Sequence, residues 1–163
     1  MKKSLTALLL IGALFMAGCT PEQKQAIAKQ AGIIAAVTWL GYDNPSPDEI
    51  NSVKTIVNII KQYSATNCES YFASVYPIVD AYITDHVEAN QQPITRVGAG
   101  AILGGLDTFF AAYPSLKSDV SLATSIVNSF CDGAVIGLNM LPSDPVRIAA
   151  TRQAGLRAGL RLR

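Results

Sequence analysis

Few side chains in this sequence are equipped for chemistry. His86 is the only histidine among 163 residues, and the three cysteines are Cys19, Cys68 and Cys131. Nucleophilic catalysis usually needs a base oriented beside the nucleophile, and His86 with Cys68 and Cys131 falls short of the usual four-ligand zinc set. The sequence also contains no Gly-x-Ser-x-Gly, His-Glu-x-x-His or P-loop motif. We therefore expect His86 to serve at the surface or at a helix C-terminus, and we expect no metal or other cofactor.

Carboxylates leave one enzymatic alternative, because the two acids of a glycosidase-type hydrolase can lie far apart in sequence. Asp48 and Glu49 instead follow a helix-start pattern, whereas Asp80, Asp85 and Glu88 are typical of a solvated face. Aromatic residues, which would line a substrate cleft, make up 7% of the chain. A non-enzymatic protein is therefore the favoured prediction, with a small carboxylate-based hydrolase as the less favoured one.

The overall composition is that of one folded domain of ordinary size. Half of the residues are apolar, 15% are charged, and the formal net charge is +1. A disordered chain would be more polar and more strongly charged, and a nucleic-acid-binding protein would carry a clear basic excess. The composition therefore predicts a globular domain with no nucleic-acid partner.

The first 18 residues have the pattern of an export signal. Lys2 and Lys3 precede an almost entirely apolar run from Leu5 to Ala17, which is shorter than the roughly 20 residues that a transmembrane helix needs. The run ends in the sequence Met16-Ala17-Gly18-Cys19. This segment resembles the signal and lipobox of bacterial lipoproteins, in which a bulky apolar residue and two small residues precede the modified cysteine.

This resemblance implies that the chain is cut before Cys19 and that Cys19 carries a diacylglycerol and further acyl chains. Two or more acyl chains give stable membrane attachment. In that family an Asp directly after the cysteine marks retention in the inner membrane of Gram-negative cells, and this chain has Thr20 there. The expected location is the periplasmic face of the outer membrane if the host is Gram-negative.

Charge is distributed unevenly along the mature chain of 145 residues. Residues 19–144 contain six basic and twelve acidic side chains, a net of −6, whereas residues 145–163 contain five arginines and no acid, a net of +5. Basic and apolar side chains together suit an anionic membrane surface, an acidic partner or the acidic body of the protein itself; a frayed, solvated end is the other alternative. The residues expected to make such a contact are Arg147, Arg152, Arg157, Arg161 and Arg163.

Helical signals dominate the mature chain and predict an all-α fold, a small antiparallel bundle of five to six helices. Helices are expected at about 21–40, 47–63, 69–88 with a kink or restart at Pro77, 92–113 and from 115 or 119 to 141, followed by a sixth after Pro145. The expected domains are a signal peptide (1–18), a helical domain (19–144) and a basic C-terminal helix or tail (145–163).

The first helix is largely apolar and begins within two residues of the expected anchor. It is expected to pack against the bundle; alternatively it lies in the membrane interface, with Trp39 and Tyr42 at headgroup depth. Trp39 is therefore also a candidate membrane or partner contact.

Glycines at a spacing of four residues form two small-xxx-small pairs, Gly100 with Gly104 and Gly133 with Gly137. Such pairs let two helix backbones approach closely. The favoured interpretation is tight packing within the bundle. The alternative is a hairpin of the fourth and fifth helices that enters a bilayer, against which Asp107 and Asp132 argue because a charge near mid-membrane is costly.

Lipidation of Cys19 would leave Cys68 and Cys131 as an even pair in an exported protein. Such a pair in an oxidising compartment favours a disulfide; the alternative is two buried free thiols that behave as small apolar residues.

These features predict a lipid-anchored, non-enzymatic helical envelope protein that binds or scaffolds at a membrane surface. Its expected partners are the membrane, through the anchor, and an envelope protein or anionic surface, through the basic tail. The alternatives are a membrane-active protein that lyses or permeabilises bilayers and, by analogy only, a phage or prophage lipoprotein of the kind that excludes a second infecting phage.

Overall fold

The computed structural model describes residues 20–63 and 71–140 of the chain. These residues are almost entirely helical and include no β-strand, so the all-α prediction is confirmed. The five helices and one short 3-10 turn are α1 (Pro21–Asp43), α2 (Pro47–Tyr63), α3 (Tyr71–His86), α4 (Gln92–Ala112), the turn (Pro114–Ser118) and α5 (Val120–Asn139). The predicted sixth helix after Pro145 lies outside the described residues, as does the predicted signal peptide.

Local capping explains where the first two helices begin. At the start of α1 the Thr20 hydroxyl accepts the Gln23 N–H, and the Gln23 side chain accepts the Thr20 N–H at 2.9 Å. Ser46 and Glu49 form the same reciprocal pair at the start of α2. Each capping box satisfies two backbone donors that the helix itself leaves unpaired.

Two boundaries differ from the prediction. α1 continues through Gly41 to Asp43 and ends at Asn44, which adopts a left-handed conformation with φ of 45°; asparagine tolerates this conformation, so Gly41 is not needed as the terminator. α3 continues through Pro77 without a restart, and Pro77 is exposed. The predicted restart at Pro77 is therefore wrong, and the alternative of a kink stays a prediction, since proline removes one backbone hydrogen bond from the helix.

Four of the five helices form a four-helix core, and α3 packs on its outside. α1 packs against α5 and α4, and α2 packs against α4 and α5 on the opposite side; the two diagonal pairs, α1 with α2 and α4 with α5, contact each other sparsely. α3 lies mainly on α4. The core is filled by large side chains that are fully buried, among them Phe110, Phe130, Ile56, Ile102, Leu106 and Ile126.

The most extensive contact in the bundle joins two parallel helices. Gly133 of α5 lies against the backbone of Lys29 of α1, and one turn further along both helices Gly137 lies against Ile33. Residue numbers increase in the same direction along both sides of this contact, which shows that α1 and α5 are parallel. Helices adjacent in sequence alternate in direction, as predicted. In a bundle of five alternating helices the first and last are parallel, and here these two helices are neighbours. The prediction of a purely antiparallel bundle is therefore corrected.

Glycine permits this contact at three positions. A Cβ atom at Gly32 would overlap the carbonyl oxygen of Phe130, one at Gly133 would overlap the carbonyl oxygen of Lys29, and one at Gly137 would lie 2.8 Å from the Ala36 Cβ. The pair Gly133 and Gly137 therefore lies at a close approach of two backbones, but the opposite helix is α1 rather than α4.

The pair Gly100 and Gly104 does not pack in this way. A Cβ at Gly104 would meet nothing within 4 Å, and one at Gly100 would meet only the Phe72 ring, at 3.9 Å. The prediction that this pair mediates close helix packing is corrected: Gly100 faces α3 without a close approach of backbones, and Gly104 has no neighbour within that distance. The close contacts of α4 are made instead by Gly98 against the Trp39 ring and by Gly105 against Ala35.

Candidate functional site

Trp39 belongs to the core rather than to a contact surface. Its side chain is 2% exposed, and its ring edge packs on Gly98 of α4. The prediction that Trp39 contacts a membrane or partner is therefore wrong for this fold, because α1 turns the indole inward between α4 and α2. Tyr42, placed one turn later on a different side of α1, is 83% exposed.

Two buried polar atoms have no hydrogen-bond partner among the described residues. They are the Trp39 indole Nε1 and the Thr95 hydroxyl oxygen. An unpaired buried donor or acceptor costs about 1–3 kcal/mol. Sequence reasoning missed Thr95, because nothing in its local pattern distinguishes a buried threonine from an exposed one on the first turn of α4.

Two aspartate side chains form polar contacts between helices. Asp107 of α4 accepts the backbone N–H of Phe72 at 3.1 Å and so satisfies a donor at the start of α3. Asp132 of α5 forms an ion pair with Lys61 of α2 at 2.8 Å. Both aspartates therefore connect neighbouring helices, and neither pairing could be predicted from local sequence patterns.

Arg96 organises the most connected polar cluster of the described chain. Its guanidinium donates to Asp80 at 2.6 Å, to the Thr84 hydroxyl at 3.0 Å and to the Gln92 side chain at 3.1 Å. Gln92 in turn donates to the main-chain oxygen of Val87 at 3.0 Å. This cluster joins the end of α3 to the start of α4.

His86 is exposed near the end of α3. Its Nδ1 lies 3.2 Å from the Tyr82 carbonyl oxygen, and its ring stacks on the Tyr82 ring with centroids 4.6 Å apart. This surface position at a helix C-terminus agrees with the predicted placement. The described residues contain no group of three or more histidine, cysteine, aspartate or glutamate side chains arranged to hold a metal ion.

Cys131 of α5 carries a free thiol that is fully buried in the bundle. Burial raises the pKa of this thiol to about 12, with the positive charge of Lys61 partly opposing the shift. A neutral thiol in such a position packs as a small apolar group. Because the Cys131 thiol is free, this structure does not contain the predicted Cys68–Cys131 disulfide. Cys68 itself lies outside the described residues, and formation of the disulfide under oxidising conditions stays a prediction.

Different helix ends lie at the two ends of the bundle. The first turns of α1 and α5 share one end, next to the expected anchor at Cys19; there hydrogen bonds from the helix backbone and Thr20 lower the pKa of Glu22. α5 ends at Asn139, beside the second half of α1 and toward the other end of the bundle. Cys19 itself and the five C-terminal arginines lie outside the described residues.

One described helix, α5, is long and apolar enough to cross a membrane by length and composition, with a mean hydropathy of 1.3 and 39% of that stretch buried in the bundle. A buried core helix of a soluble domain has the same properties. The predicted membrane hairpin of α4 and α5 is not the packing seen here, because these two helices lie on a diagonal of the core.

No protein-family model, no curated protein and no solved structure matches this chain.

Proposed function

We propose that this chain is a lipid-anchored, non-enzymatic envelope protein that binds or scaffolds at a membrane surface. Cys19 would carry the acyl chains, and residues 145–163 would supply a basic contact for an envelope protein or another anionic surface. The lipobox segment Met16-Ala17-Gly18-Cys19 and the five arginines of the C-terminal segment motivate the two contacts.

The observation that carries this proposal is the position of α1. α1 begins at Pro21, two residues after Cys19, with a complete capping box, and it is one of the four core helices. A lipid on Cys19 would therefore be joined to the folded domain by almost no linker. Such a connection favours a protein that works close to the bilayer over one that reaches far from it.

The engaged polar side chains also support a binding role. Asp80, Asp107 and Asp132 are each engaged with a partner from another helix. The exposed His86 stacks on Tyr82, with no cysteine or acid placed beside it by a described contact. The proposal accordingly assigns no catalytic residue.

Crosslinking and affinity capture from the native envelope test the proposal. The full chain is compared with a chain that ends after Asp144 and with a Cys19→Ser variant. We expect the full chain to fractionate with membranes and to capture a partner that the truncated chain loses, whereas Cys19→Ser should release the protein from membranes. An unchanged partner set after truncation would remove the basic segment from the proposal, and unchanged membrane fractionation of Cys19→Ser would remove the anchor.

A membrane-active role is the second candidate, favoured by the apolar composition of α5. It predicts that the purified mature protein releases a trapped dye from liposomes. Because α5 is held in the core by the α1 contact, release would require α5 to leave that contact. Intact liposomes at protein concentrations that saturate membrane binding would contradict this candidate.

A further inference from the structure

α1 and α4 together present an uncharged face on the outside of the bundle. Three of its side chains are large, apolar and exposed: Ile34 by 63%, Val97 by 52% and Ile27 by 37%. Its other residues are small or carry only a hydroxyl group, and they are Ala31, Thr38, Ala101, Gly104 and Thr108. We call these eight residues the α1–α4 face.

The contact between α1 and α4 places the eight residues on one side. Ala35 packs on Gly105 and Trp39 packs on Gly98, and these two pairs define the line along which the helices touch. On one flank of this line the next positions of both helices are buried in the core. On the other flank the next positions, three or four residues away along each helix, belong to the α1–α4 face. The two open flanks therefore meet on the outer side of the bundle, and the buried Trp39 takes no part in the face.

Charge distinguishes this face from the rest of the domain. Residues 19–144 carry a net charge of −6, yet none of the eight residues of the face is ionisable. Lys24 lies seven residues before Ala31 on the same side of α1 and adds a basic group at the edge of the face. At the edge next to α3, Arg96 is paired with Asp80, and Asp107 accepts a backbone N–H of α3. An anionic lipid surface is therefore repelled less by this face than by the acidic remainder of the domain.

The chain leads from Cys19 directly to this face. Thr20 alone separates Cys19 from Pro21, the first residue of α1, so the Cα atoms of Cys19 and Pro21 lie within about 7 Å of each other. Ile27 follows about 9 Å further along the axis of α1. A lipid on Cys19 would hold the face beside the headgroups, at an effective concentration that lets a modest apolar area bind.

A bundle held at Cys19 has one other simple orientation, in which it stands on end. The first turns of α1 and α5 would then meet the headgroups, together with the exposed acids Glu22 and Asp119. Lying on the α1–α4 face instead removes the exposed Ile34 and Val97 from water. The distribution of apolar and acidic side chains therefore favours the lying orientation.

We propose that the domain lies on the bilayer through the α1–α4 face, with the axes of α1 and α4 in the membrane plane and Ile27, Ile34 and Val97 in the interfacial layer. This inference rests on the proposed acylation of Cys19 and names the surface that then meets the lipid. Tyr42 follows Ala35 by seven residues, on the same side of α1, and is 83% exposed. Its ring reaches the headgroup layer, where aromatic side chains are favoured.

Fluorophore quenching on vesicles tests this orientation. In a Cys68→Ser background, Ile34→Cys and Val97→Cys are each labelled with a nitrobenzoxadiazole fluorophore, and the acylated full chain is bound to vesicles of phosphatidylcholine and phosphatidylglycerol. The matched control is Thr55→Cys, an exposed position on α2, which lies diagonally across the core from α1. We expect quenching by aqueous iodide to be at least about fivefold weaker at positions 34 and 97 than at position 55, because the interfacial layer excludes the ion.

A charged variant tests the contact without removing the anchor. Ile27→Glu in the same chain should raise the quenching at Ile34→Cys toward that at Thr55→Cys, because an unpaired charge is costly to bury. Flotation of the protein with the vesicles should not change, since the acyl chains still hold it. Unchanged protection of Ile34→Cys in this variant would contradict the contact.

The remaining outcomes separate this inference from the anchor on which it rests. Failure of the unsubstituted chain to float with vesicles would contradict the acyl anchor itself, whereas flotation with equal quenching at positions 34, 55 and 97 would overturn only the contact of the α1–α4 face. Protection of Val120→Cys, at the exposed start of α5, in place of Ile34→Cys would show a bundle that stands on end. Protection that disappears when the protein is diluted on the vesicles would assign the face to a second copy. Either result would overturn the proposal.

Discussion

Gly133 of α5 lies directly against the main-chain carbonyl of Lys29 in α1, so that a Cβ at this position would overlap the carbonyl oxygen. The two helices meet here backbone to backbone, with no side chain between them. Because backbone atoms cannot turn away as a side chain can, this contact fixes the separation of α1 and α5.

Gly133→Ala should therefore destabilise the fold. Overfilling a packed contact costs about 1–3 kcal/mol, and chemical denaturation monitored by circular dichroism would measure the loss. The matched control is Gly104→Ala, where the new Cβ meets nothing within 4 Å and none of the described glycines has a positive φ. Alanine there should stabilise the helix by about 0.5–1 kcal/mol. Equal effects of the two substitutions would contradict the packing difference.

Asp107→Ala should weaken the start of α3. The Asp107 carboxylate accepts the Phe72 N–H from a neighbouring helix, and loss of a side-chain acceptor at a helix start costs about 1 kcal/mol. Asp107→Asn retains an oxygen acceptor and should recover most of that loss. Thermal unfolding would compare both with Asp85→Ala, an exposed position expected to change stability by less than about 0.5 kcal/mol.

The buried thiol of Cys131 predicts a loss of stability at alkaline pH in the reduced protein. Its pKa is about 12 in the folded state and about 8.5–9 when unfolded. The unfolded chain therefore releases the proton first, and stability falls as the pH rises above about 9. Relative to Cys131→Ala, the reduced wild-type chain should lose about 1.5 kcal/mol between pH 8 and pH 10. Parallel denaturation series at the two pH values measure this difference, and parallel behaviour of the two proteins would contradict it.

The predicted Cys68–Cys131 disulfide has a separate test. Intact-mass measurement after alkylation, with and without prior reduction, should show no free thiol from this pair before reduction and two after it. A bonded pair would also abolish the alkaline titration of Cys131 described above. Two alkylated thiols in the unreduced, unfolded protein would contradict the disulfide.

Trp39 gives an intrinsic probe for contact between α1 and a membrane. Because the indole is 2% exposed and packs on Gly98, its emission should not shift when liposomes are added to the folded protein. A Trp39→Phe, Tyr42→Trp variant places the indole at a position that is 83% exposed and serves as the comparison. A shift of the Trp39 emission to longer wavelength on liposome addition would show that α1 leaves the core.

Much of the local structure could be predicted from the sequence. The starts of α1 and α2 follow from reciprocal capping patterns, Thr20 with Gln23 and Ser46 with Glu49. These patterns act over three residues and do not depend on the rest of the fold. The stripe of Ile50, Val53, Val57 and Ile60 likewise faces the core. Such signals are local, so the sequence contains all of the information that they need.

Which helices contact each other could not be predicted from the sequence in the same way. Glycine spacing indicates that another helix can approach closely, but it does not indicate which helix. The spacing of Gly100 and Gly104 is the same as that of Gly133 and Gly137, so it could not distinguish the two pairs. The difference arises from the topology, which sets the Gly133 side of α5 directly against the backbone of α1 but leaves Gly100 and Gly104 without a backbone close to them. The pairing of Asp132 with Lys61, 71 residues apart, depends on that topology as well.

The parallel contact of α1 with α5 also determines how the domain would carry a mechanical load. If the chain is held at the start of α1 and pulled at the end of α5, the two helices are drawn past each other along their common axis. The whole glycine-lined contact then resists in shear, and its backbone contacts share the force instead of separating one turn at a time. An antiparallel pair loaded from adjacent ends would peel open from one side.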